Sequence, residues 1–556
     1  MFSEEVCKGR RVIILLALFC VPFFINLGAN SLWDGNEGFY AEPPRELLES
    51  GDWLVPTYNY EPRFKKPPFT TWIIAACYYK LGVSEFSARL PIAIAATLTV
   101  LLVYALGRRI VDARTGLAAA LVLATMLKYM VYARQYAGDI FLTLLITASL
   151  TGFAYAVVAP PGRARLGWLL LAYGASGLGM LDKGLVAIVI PFVVMGLFIL
   201  VQRRWDLLVL LFHPLGYLVI LAIGLPWYLM MAGRYGWEFI QVNIIQETVQ
   251  RYVTDQLGGR AAYYYIGVYL AETLPWSLFT LPVLIYWIKW LRQQFHTLSR
   301  QQPRESLMLL PFIWFLFVFI FFSVSIGKRA VYLVVLYPAA ALLIGHYFTA
   351  CLFQRDRLLM QLHRIVTLLL IVVCTGAAIV LLIGHSKLEM PTLLIYLPIA
   401  VLIMLSITLT WQWWRGDFTT QAQLLVIAAL VLIFGLTLVM PKLEYYRPVP
   451  RFARLIKEQA ARQDEVGTFC VDAPSLMFYT ERKIFQSCDF DEMLKRLDSD
   501  RQVYFITRAD YLEMLQGRTP IPLEILARQP LLQLRWENFF ARSSSPSLSL
   551  VLVRKS

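Results

Sequence analysis

Long apolar runs separated by short polar connections dominate the chain up to about residue 440. Runs of this length are typical of helices that cross a bilayer, and basic residues concentrate in alternate connections, as the positive-inside rule expects. The pattern predicts about thirteen spans, with the N-terminus in the cytoplasm. The predicted spans are 12–27, 87–106, 116–132, one ending near 159, 166–181, one ending near 201, 207–232, 263–290, one ending near 325, 330–352, 365–384, 393–414 and 424–440.

One apolar segment, residues 69–81, is too short to cross a hydrocarbon layer of about 30 Å and decides how the chain is threaded. If it crossed, the basic connection of residues 108–114 would lie outside, against the positive-inside rule. We therefore expect the segment to lie in the membrane interface, within a first outer loop of residues 28–86. That loop also carries a predicted juxtamembrane helix over residues 41–50, which Gly51 ends.

The long apolar runs stop before the C-terminal part of the chain, residues 444–556, which mixes strand-like and helix-like stretches. The predicted strands are 466–471, 502–506 and 548–553, and the predicted helices are 452–462 and 489–497. The expected fold is an all-α polytopic membrane bundle over residues 1–443, with a second outer loop over 233–262, followed by a small α/β domain on the outer face. Cys470 and Cys488 would be able to pair there, since disulfides form outside the cytoplasm.

The composition agrees with a membrane protein. Of 556 residues, 58% are hydrophobic and only 16% are charged, whereas soluble domains have about 25% charged residues. The net charge of +14 would by itself suggest nucleic acid, but the basic residues follow the short connections, so no nucleic-acid partner is expected. The first apolar run continues to about Leu27 without a small-residue cleavage site, which predicts an uncleaved span rather than a signal peptide.

Charged and polar residues gather in five separate places, all on the predicted outer side of the bundle. They are the stretch from Asp34 to Lys66, Arg134 with Asp139, Asp182 with Lys183, Glu247 with Arg251, and Lys328 with Arg329 and Tyr332. Carboxylates suit a general base, a metal ligand or a partner for an amine, while Lys and Arg suit phosphate. The set favours a site for a substrate with an anionic leaving group, such as a lipid phosphate. Taken singly, several of these sets also fit plain ion pairs at the membrane surface.

Short motifs follow one another in a fixed order between residues 31 and 345. They are Trp33, Tyr40-Ala41-Glu42, Arg45-Glu46, Ser50-Gly51-Asp52-Trp53, Val55-Pro56, Phe64, Lys66-Pro67, Ser87-Ala88-Arg89, Asp139, Lys183-Gly184, Leu225-Pro226-Trp227, Gln250-Arg251-Tyr252, Leu274-Pro275-Trp276, Phe322-Ser323, Gly327-Lys328 and Tyr332. With this ordered set the chain resembles the polyprenyl-phosphate-sugar-dependent glycosyltransferases of the GT-C class. It looks most like the bacterial aminoarabinose lipid A transferases and the related protein-mannosyltransferase-like proteins.

The resemblance implies an outer cavity in which a sugar passes from a polyprenyl-phosphate carrier to a lipid, glycan or protein acceptor, with inversion at the anomeric carbon. It implies a bacterial inner-membrane protein whose active site and C-terminal domain lie in the periplasm, in contact with membrane lipids. The implied catalytic acids are Asp139, Glu37 and Asp34. The implied donor-phosphate residues are Lys66, Lys183, Arg251, Lys328, Arg329 and Tyr332, and the implied positioning residues are Tyr40, Arg134 and Glu247.

The chain departs from the family pattern at three places. Asn36-Glu37 stands where the family has Asp-Glu, so the acid of that pair is assigned to Glu37 or Asp34, or its role falls to Asp139. Lys65 replaces a glutamate and Thr248 replaces a metal-ligating histidine of the aminoarabinose subgroup. These changes speak against that subgroup's metal site and against aminoarabinose as the sugar. No metal ligand is assigned, and a divalent metal as cofactor is left open.

Two other functions also fit a bundle that carries charges. A transporter or flippase of a lipid-linked anionic substrate would place its charges near mid-membrane, often on broken helices of an internal repeat. The sequence shows no clear repeat, and its charges fall at the outer ends of spans. A ligase or polymerase that uses a lipid diphosphate would have its large outer loops late in the chain, whereas the largest polar loop here is the first.

Overall fold

A computed structural model gives the fold as a largely helical bundle followed by a small β-sheet. The structure describes residues 10–135, 139–254, 260–294, 307–354, 357–384, 392–415, 418–439, 441, 444, 447–530 and 549–555. The helices are α1 Arg10–Cys20, α2 Glu37–Ser50, α3 Phe69–Leu81, α4 Glu85–Ile110, α5 Ala113–Ala124, α6 Leu127–Arg134, α7 Ile140–Val158, α8 Arg163–Lys183, α9 Val186–Gln202, α10 Leu208–Leu211, α11 Pro214–Phe239, α12 Arg251–Val253, α13 Tyr264–Glu272, α14 Thr280–Gln294, α15 Leu309–Val324, α16 Tyr337–Gln354, α17 Arg357–Gly384, α18 Thr392–Arg415, α19 Phe418–Val439, α20 Pro448–Gln459, α21 Ser475–Thr480, α22 Phe490–Asp498 and α23 Ala509–Gln516.

Apolar helices long enough to cross a membrane make up much of the bundle. In the described part of the chain six helices qualify by length and composition, or eight if each of two sharply bent helix pairs counts as one span. Shorter apolar helices lie at Arg11–Phe23, Val186–Gln202 and Leu309–Val324. The predicted helical, multi-span character of the chain is confirmed, and the full predicted number of spans stays a prediction.

Two predicted spans, the third and the eighth, are broken. Helices α5 and α6 meet at 67°, and α13 meets the helix Trp276–Gln293 at 117°. The two breaks pack against each other, because the Leu127 N–H donates to the Leu274 carbonyl at 3.1 Å and the Trp276 indole donates to Thr125 Oγ1 at 3.0 Å. Backbone groups that a break frees inside a membrane bundle need partners of this kind. Each of these two predicted spans is therefore a bent pair of helices.

The first outer loop folds into α2, α3 and a two-stranded ribbon, β1 Thr57–Tyr58 and β2 Glu61–Pro62. Helix α3 has the bounds that the sequence predicts, and α2 begins four residues before the predicted helix. Gly51 ends α2 with a φ of 70°, a left-handed conformation that glycine adopts without strain. Pro43 lies inside α2 and has no N–H for the Phe39 carbonyl, which accepts a hydrogen bond from the Arg63 guanidinium instead.

The C-terminal part contains a five-stranded sheet of order β4-β3-β5-β7-β6. Its strands are β3 Glu465–Phe469, β4 Phe485–Ser487, β5 Val503–Arg508, β6 Leu523–Pro530 and β7 Ser549–Lys555. Strand β3 pairs in parallel with β4 and β5, and β7 pairs antiparallel with β5 and β6. Alternate residues of β5 enter two separate apolar clusters, so helices cover both faces of the sheet. Cys470 and Cys488 form a disulfide at its edge.

The C-terminal part is docked on the first outer loop by direct hydrogen bonds. Asp34 accepts hydrogen bonds from the backbone N–H and the hydroxyl of Ser475 at the start of α21. Asn59 exchanges two hydrogen bonds of 2.9 Å with the backbone of Ile484. The Leu32 N–H donates to the Tyr479 hydroxyl at 2.7 Å. The loop is thereby held between the membrane bundle and the sheet.

Candidate functional site

An ion pair between Asp139 and Lys183 forms the centre of the polar cluster. Asp139 lies directly before α7 and Lys183 is the last residue of α8, so two packed antiparallel helices present both side chains at the same end of the bundle. Lys183 Nζ lies 2.8 Å from Asp139 Oδ1. Asp139 Oδ2 is buried and has no hydrogen-bond partner within the described ranges. One oxygen of this carboxylate is thus held in place while the other keeps unused hydrogen-bonding capacity.

Helix α3 joins this centre through the neighbouring acid. Thr70 Oγ1, in the first turn of α3, donates to Asp182 Oδ1 at 2.5 Å. Both side chains are buried, and Asp182 Oδ2 also has no partner in the part of the chain that the structure describes. The short apolar segment of the first loop therefore forms one wall of the cluster.

A second group of charges stands beside the first. The Glu247 carboxylate is shared by Lys66, whose Nζ lies 2.9 Å away, and by the guanidinium of Arg251 one helical turn further along the chain. Arg251 Nε also donates to the Tyr332 hydroxyl at 3.0 Å. A carboxylate held between an ammonium and a guanidinium occupies the kind of position that a phosphate group takes.

Tyr40 links the two groups. Burial acts to raise the pKa of its phenol, but the cations Lys183, Lys66 and Arg63 outweigh burial and lower that pKa. The Arg63 guanidinium also lies 5.2 Å from the centre of the Tyr40 ring. Burial, and after it the charge of Lys183, lowers the pKa of the Lys66 ammonium below its ordinary value. These mutual effects show that Tyr40, Lys66, Lys183 and Asp139 share one electrostatic environment.

Seven of the residues that the sequence singles out therefore lie together. They are Tyr40, Lys66, Asp139, Lys183, Glu247, Arg251 and Tyr332. They come from the first loop, from the ends of α7 and α8, and from the segments before α12 and α16, so residues far apart in sequence converge.

The other two predicted acids have different partners. Glu37 is 2% exposed and both of its oxygens accept hydrogen bonds from Arg89, which also donates to the carbonyls of Leu27 and Ser31. Asp34 binds Ser475 in the C-terminal part. Both carboxylates hold the loop in place, so we do not carry Glu37 and Asp34 into the site as catalytic groups.

Three further predicted cations have contacts with groups outside this cluster. Arg134 donates to the carbonyl of Pro22, and the buried Lys328 ammonium donates to the carbonyl of Ser325. Arg329 has an exposed side chain, and its carbonyl accepts a hydrogen bond from Tyr265 at 3.0 Å. The side chains of Arg134 and Lys328 thus bind backbone carbonyls, and Arg329 makes its contact through its own carbonyl.

One carboxylate that the sequence analysis passed over lies close by. Glu272, the last residue of α13, accepts hydrogen bonds from the hydroxyls of Tyr132 and Tyr337 at 3.2 and 2.5 Å. A single acid inside a run predicted to span the membrane was the available signal, because such residues are costly unless they have a role. Arg63 and Arg89 were likewise visible as loop and motif residues, but their partners follow only from the folded chain.

The residues at this place do not form a recognisable metal site. No group of three or more His, Cys, Asp or Glu side chains close enough to hold a metal ion occurs across the described ranges. The side chain of Thr248, which replaces the expected histidine, lies outside the described part.

Comparison with known proteins places these features in a family. The sequence model of the family described as dolichyl-phosphate-mannose-protein mannosyltransferase matches residues 65–229, which include α3 and the segments carrying Lys66, Asp139 and Lys183. An "Undecaprenyl phosphate-alpha-4-amino-4-deoxy-L-arabinose arabinosyl transferase" of Pseudomonas paraeruginosa is 35% identical over 356 residues, 63% of this chain and 61% of that protein. The match thus spans about three fifths of that relative's length.

Two further similar proteins are matched over a larger share of their own length. An uncharacterized protein of Aquifex aeolicus is 32% identical over 346 residues, which are 61% of this chain and 74% of that protein. The crystal structure of ArnT from Cupriavidus metallidurans bound to undecaprenyl phosphate superposes with a TM-score of 0.76 over 97% of both chains, at 22% identity, which shows a shared fold. From the ordered motifs, the family match and the common fold, we conclude that the chain belongs to the GT-C class of membrane glycosyltransferases.

Proposed function

We propose that the protein transfers a sugar from a polyprenyl-phosphate carrier to an acceptor at the outer face of the bacterial inner membrane, with inversion at the anomeric carbon. The single observation that carries the proposal is the convergence of Lys66, Lys183 and Arg251 with Asp139 in one half-buried cluster. Three cations beside a carboxylate with a free oxygen suit a reaction in which a phosphate leaves and a hydroxyl attacks. The names of the relatives, which specify undecaprenyl phosphate, support the same donor class.

The proposed chemistry follows from the two halves of the cluster. An acceptor oxygen forms a bond to the anomeric carbon while the bond from that carbon to the phosphate oxygen breaks, and the carrier phosphate departs with the electron pair. Lys66, Arg251 and the Tyr332 hydroxyl bind the phosphate in place of Glu247, and together they stabilise its developing charge by a few kcal/mol. Asp139 Oδ2 accepts the proton of the attacking hydroxyl, while Lys183 holds Oδ1.

The lipid, glycan or protein nature of the acceptor and the identity of the sugar are open in this proposal. The Lys65 and Thr248 replacements speak for a sugar other than aminoarabinose. The Cys470–Cys488 disulfide supports a periplasmic C-terminal part, because disulfides persist outside the cytoplasm. Because that part is docked on the first outer loop, the cluster would face the periplasm. The N-terminus would lie in the cytoplasm, as the charge pattern predicts for a bundle of about thirteen spans.

The test uses the full chain in nanodiscs, supplied with undecaprenyl phosphate that carries mannose, glucose, galactose or arabinose. Release of free undecaprenyl phosphate is measured for the wild type, Asp139→Asn and Lys66→Ala. We expect release with at least one sugar, and a fall of 100-fold or more in both variants, in line with the loss of a group that stabilises or activates the reacting atoms. Asp510→Asn, an exposed acid in the C-terminal part, is the matched control.

Two outcomes would reject the proposal. If Asp139→Asn and Lys66→Ala release free undecaprenyl phosphate as fast as the wild type, the reaction takes place elsewhere on the chain. Intact donor with every sugar, accompanied by movement of labelled lipid between leaflets, would favour the transporter, whose broken helices the two bent pairs resemble.

A further inference from the structure

The strongest unassigned feature is the carboxylate of Glu272 at the meeting point of the two broken helix pairs. Glu272 ends α13, just before the 117° bend, and Tyr132 lies on α6, just after the 67° bend. The Tyr132 hydroxyl donates to Glu272 Oε1 at 3.2 Å, and the Tyr337 hydroxyl donates to Oε2 at 2.5 Å. Non-helical backbone at membrane depth is tolerated where it is buried in protein or lines a cavity. The paired breaks therefore mark a place where the bundle departs from simple helix packing.

The position of this carboxylate is unfavourable for stability alone. It lies at the C-terminal end of a helix, where the aligned peptide dipoles already concentrate negative charge. It also lies inside an otherwise apolar segment, where an acid is costly. Through the described ranges no lysine, arginine or histidine forms an ion pair with it, and the nearby Lys128 ammonium faces the Tyr132 ring at 5.2 Å from the ring centre. A local conflict of this kind is expected at a functional site.

The hydrogen-bonding capacity of Glu272 is only partly used. An ionised carboxylate has about four acceptor positions, and the two tyrosines fill one on each oxygen. Among the described residues, each oxygen thus keeps unused acceptor capacity, which suits hydroxyl donors. Both present donors belong to tyrosines, whose side chains combine an apolar ring with a polar hydroxyl.

Tyr132 connects Glu272 with the proposed reaction centre. Its hydroxyl donates to the Glu272 carboxylate at 3.2 Å, and the negative charge of Asp139 also acts on its phenol. A sugar that reacts beside Asp139 would therefore be able to present its remaining hydroxyls to Glu272.

We propose that Glu272, with Tyr132 and Tyr337, forms a sugar subsite in which the carboxylate accepts hydrogen bonds from two hydroxyls of the glycosyl unit bound beside Asp139. This inference rests on the proposed function and deepens it, because it assigns the group that selects the sugar. The sugar belongs either to the donor or to a glycan acceptor, and the experiment separates these sources.

The experiment compares wild type, Glu272→Gln and Tyr132→Phe, each as the full chain in nanodiscs. Affinity is measured for sugar-free undecaprenyl phosphate, for the undecaprenyl-phosphate sugar that the wild type cleaves, and for its monodeoxy analogues. We expect Glu272→Gln to weaken binding of the sugar-bearing donor about 10- to 100-fold, the usual effect of losing hydrogen bonds to a charged group, and to leave binding of the sugar-free carrier within about twofold. The monodeoxy analogue that lacks a contacted hydroxyl should bind the wild type more weakly than the complete donor does. For Glu272→Gln, the analogue and the complete donor should bind with similar affinity.

An acceptor-side subsite would give a different pattern. Donor binding would then be unchanged, and KM for lipid A, used as the acceptor probe, would rise about 10-fold in Glu272→Gln. Equal weakening of the sugar-bearing and the sugar-free carrier would show a structural role and overturn the inference, as would unchanged values in every arm. Tyr337→Phe removes the buried hydroxyl that donates to the same carboxylate. Its donor and acceptor constants show how much of the effect comes from the placement of Glu272.

The two proposals fail in distinguishable ways. A wild-type protein that neither binds nor cleaves any of the donors rejects the proposed function and, with it, the subsite. The subsite alone is rejected if the wild type cleaves a donor and Glu272→Gln has the same donor affinity and the same acceptor KM.

Discussion

Asp139 and Lys183 show how a single contact combines stability with chemistry. The pair is 3% and 14% exposed at its two side chains, so neither charge is well hydrated. Lys183 pairs with Asp139 through Oδ1, and Oδ2 has no hydrogen-bond partner among the residues that the structure describes. The same ion pair that balances the charge of this buried carboxylate thus also fixes which of its oxygens keeps unused hydrogen-bonding capacity.

Removing one member of this pair should cost more than removing both. Lys183→Met leaves the Asp139 charge buried and uncompensated, and we expect a loss of about 3 kcal/mol of stability. The double variant Lys183→Met with Asp139→Asn should recover part of that loss, since no charge is then left. Unfolding of the four proteins of this cycle, followed in detergent by heat or dodecyl sulfate, measures the coupling. Equal and additive losses for the two single variants would contradict the expectation.

Lys66 and Asp139 were found from the sequence because charge is rare in so apolar a chain, and the family resemblance gave each a role. Glu37 and Asp34 were proposed on the same grounds, yet their side chains bind Arg89 and Ser475. The sequence shows which type of side chain stands at a position. Only the folded chain shows which group that side chain binds. Glu272 was missed for the converse reason, because the run around it was read as one unbroken span.

At the scale of elements, the first outer loop is built around a helix that contains two adjacent prolines. Proline has no N–H to donate, so a proline inside a helix leaves the carbonyl four residues earlier without its usual partner. In α2 the carbonyl of Phe39 is in this position, and Arg63 from the ribbon donates to it. The helix and the ribbon therefore depend on each other, and Arg63 at the same time lies against the ring of Tyr40 at the site.

This dependence predicts a coupling between Arg63 and Pro43. Arg63→Met should lower stability by about 1–3 kcal/mol, the usual effect of leaving a half-buried carbonyl without a partner. In a Pro43→Ala background the restored N–H can serve Phe39, so the same arginine change should have a smaller effect. Thermal unfolding of the single and double variants tests this. An arginine effect of equal size in both backgrounds would show that its ring contacts dominate instead.

The helix bounds were largely predictable and the helix shapes were not. The bounds of α3 follow from its apolar run between Pro68 and Gly82, and the C-terminal end of α8 follows from the change to Asp182 and Lys183. The bends between α5 and α6 and after α13 depend on contacts between those two breaks, such as the Leu127–Leu274 hydrogen bond. Hydrophobic periodicity along one segment carries no information about such contacts.

At the scale of the whole molecule, the C-terminal part and the bundle meet where the backbone of α2 approaches the backbone at the start of α21. A methyl group on Gly38 of α2 would lie 2.5 Å from the backbone nitrogen of Ser475 and 2.6 Å from the carbonyl carbon of Pro474. These distances are far below van der Waals contact, and the neighbouring atoms are backbone that cannot simply rotate away. Glycine is therefore required at this point for the docked arrangement.

Gly38→Ala should push α21 away from α2 and weaken the docking of the C-terminal part by about 1–3 kcal/mol, the range typical of overpacking. Hydrogen exchange of residues 474–480 is expected to become faster, while exchange within the sheet stays as in the wild type. Gly517→Ala is the matched control, because a methyl group there meets its nearest neighbour only at 3.7 Å. Unchanged exchange in Gly38→Ala would show that the two parts adjust without separating.

The same contact should respond to pH through Asp34. Burial in the docked state, only partly offset by the Ser475 hydrogen bonds, raises the pKa of its carboxyl from 3.8 to about 6. The docked form therefore holds the proton more tightly than the open form, so docking takes up a proton between pH 4 and pH 6 and becomes stronger as the pH falls through that window. Above pH 6 the buried carboxylate is charged and the full cost of its burial is present. We expect the protection factors of residues 474–480, which are corrected for the intrinsic pH dependence of amide exchange, to be higher at pH 5 than at pH 7.5 in the wild type. Asp34→Asn, which cannot titrate, should lose most of this difference, and an equal pH response in both proteins would assign the effect to other groups.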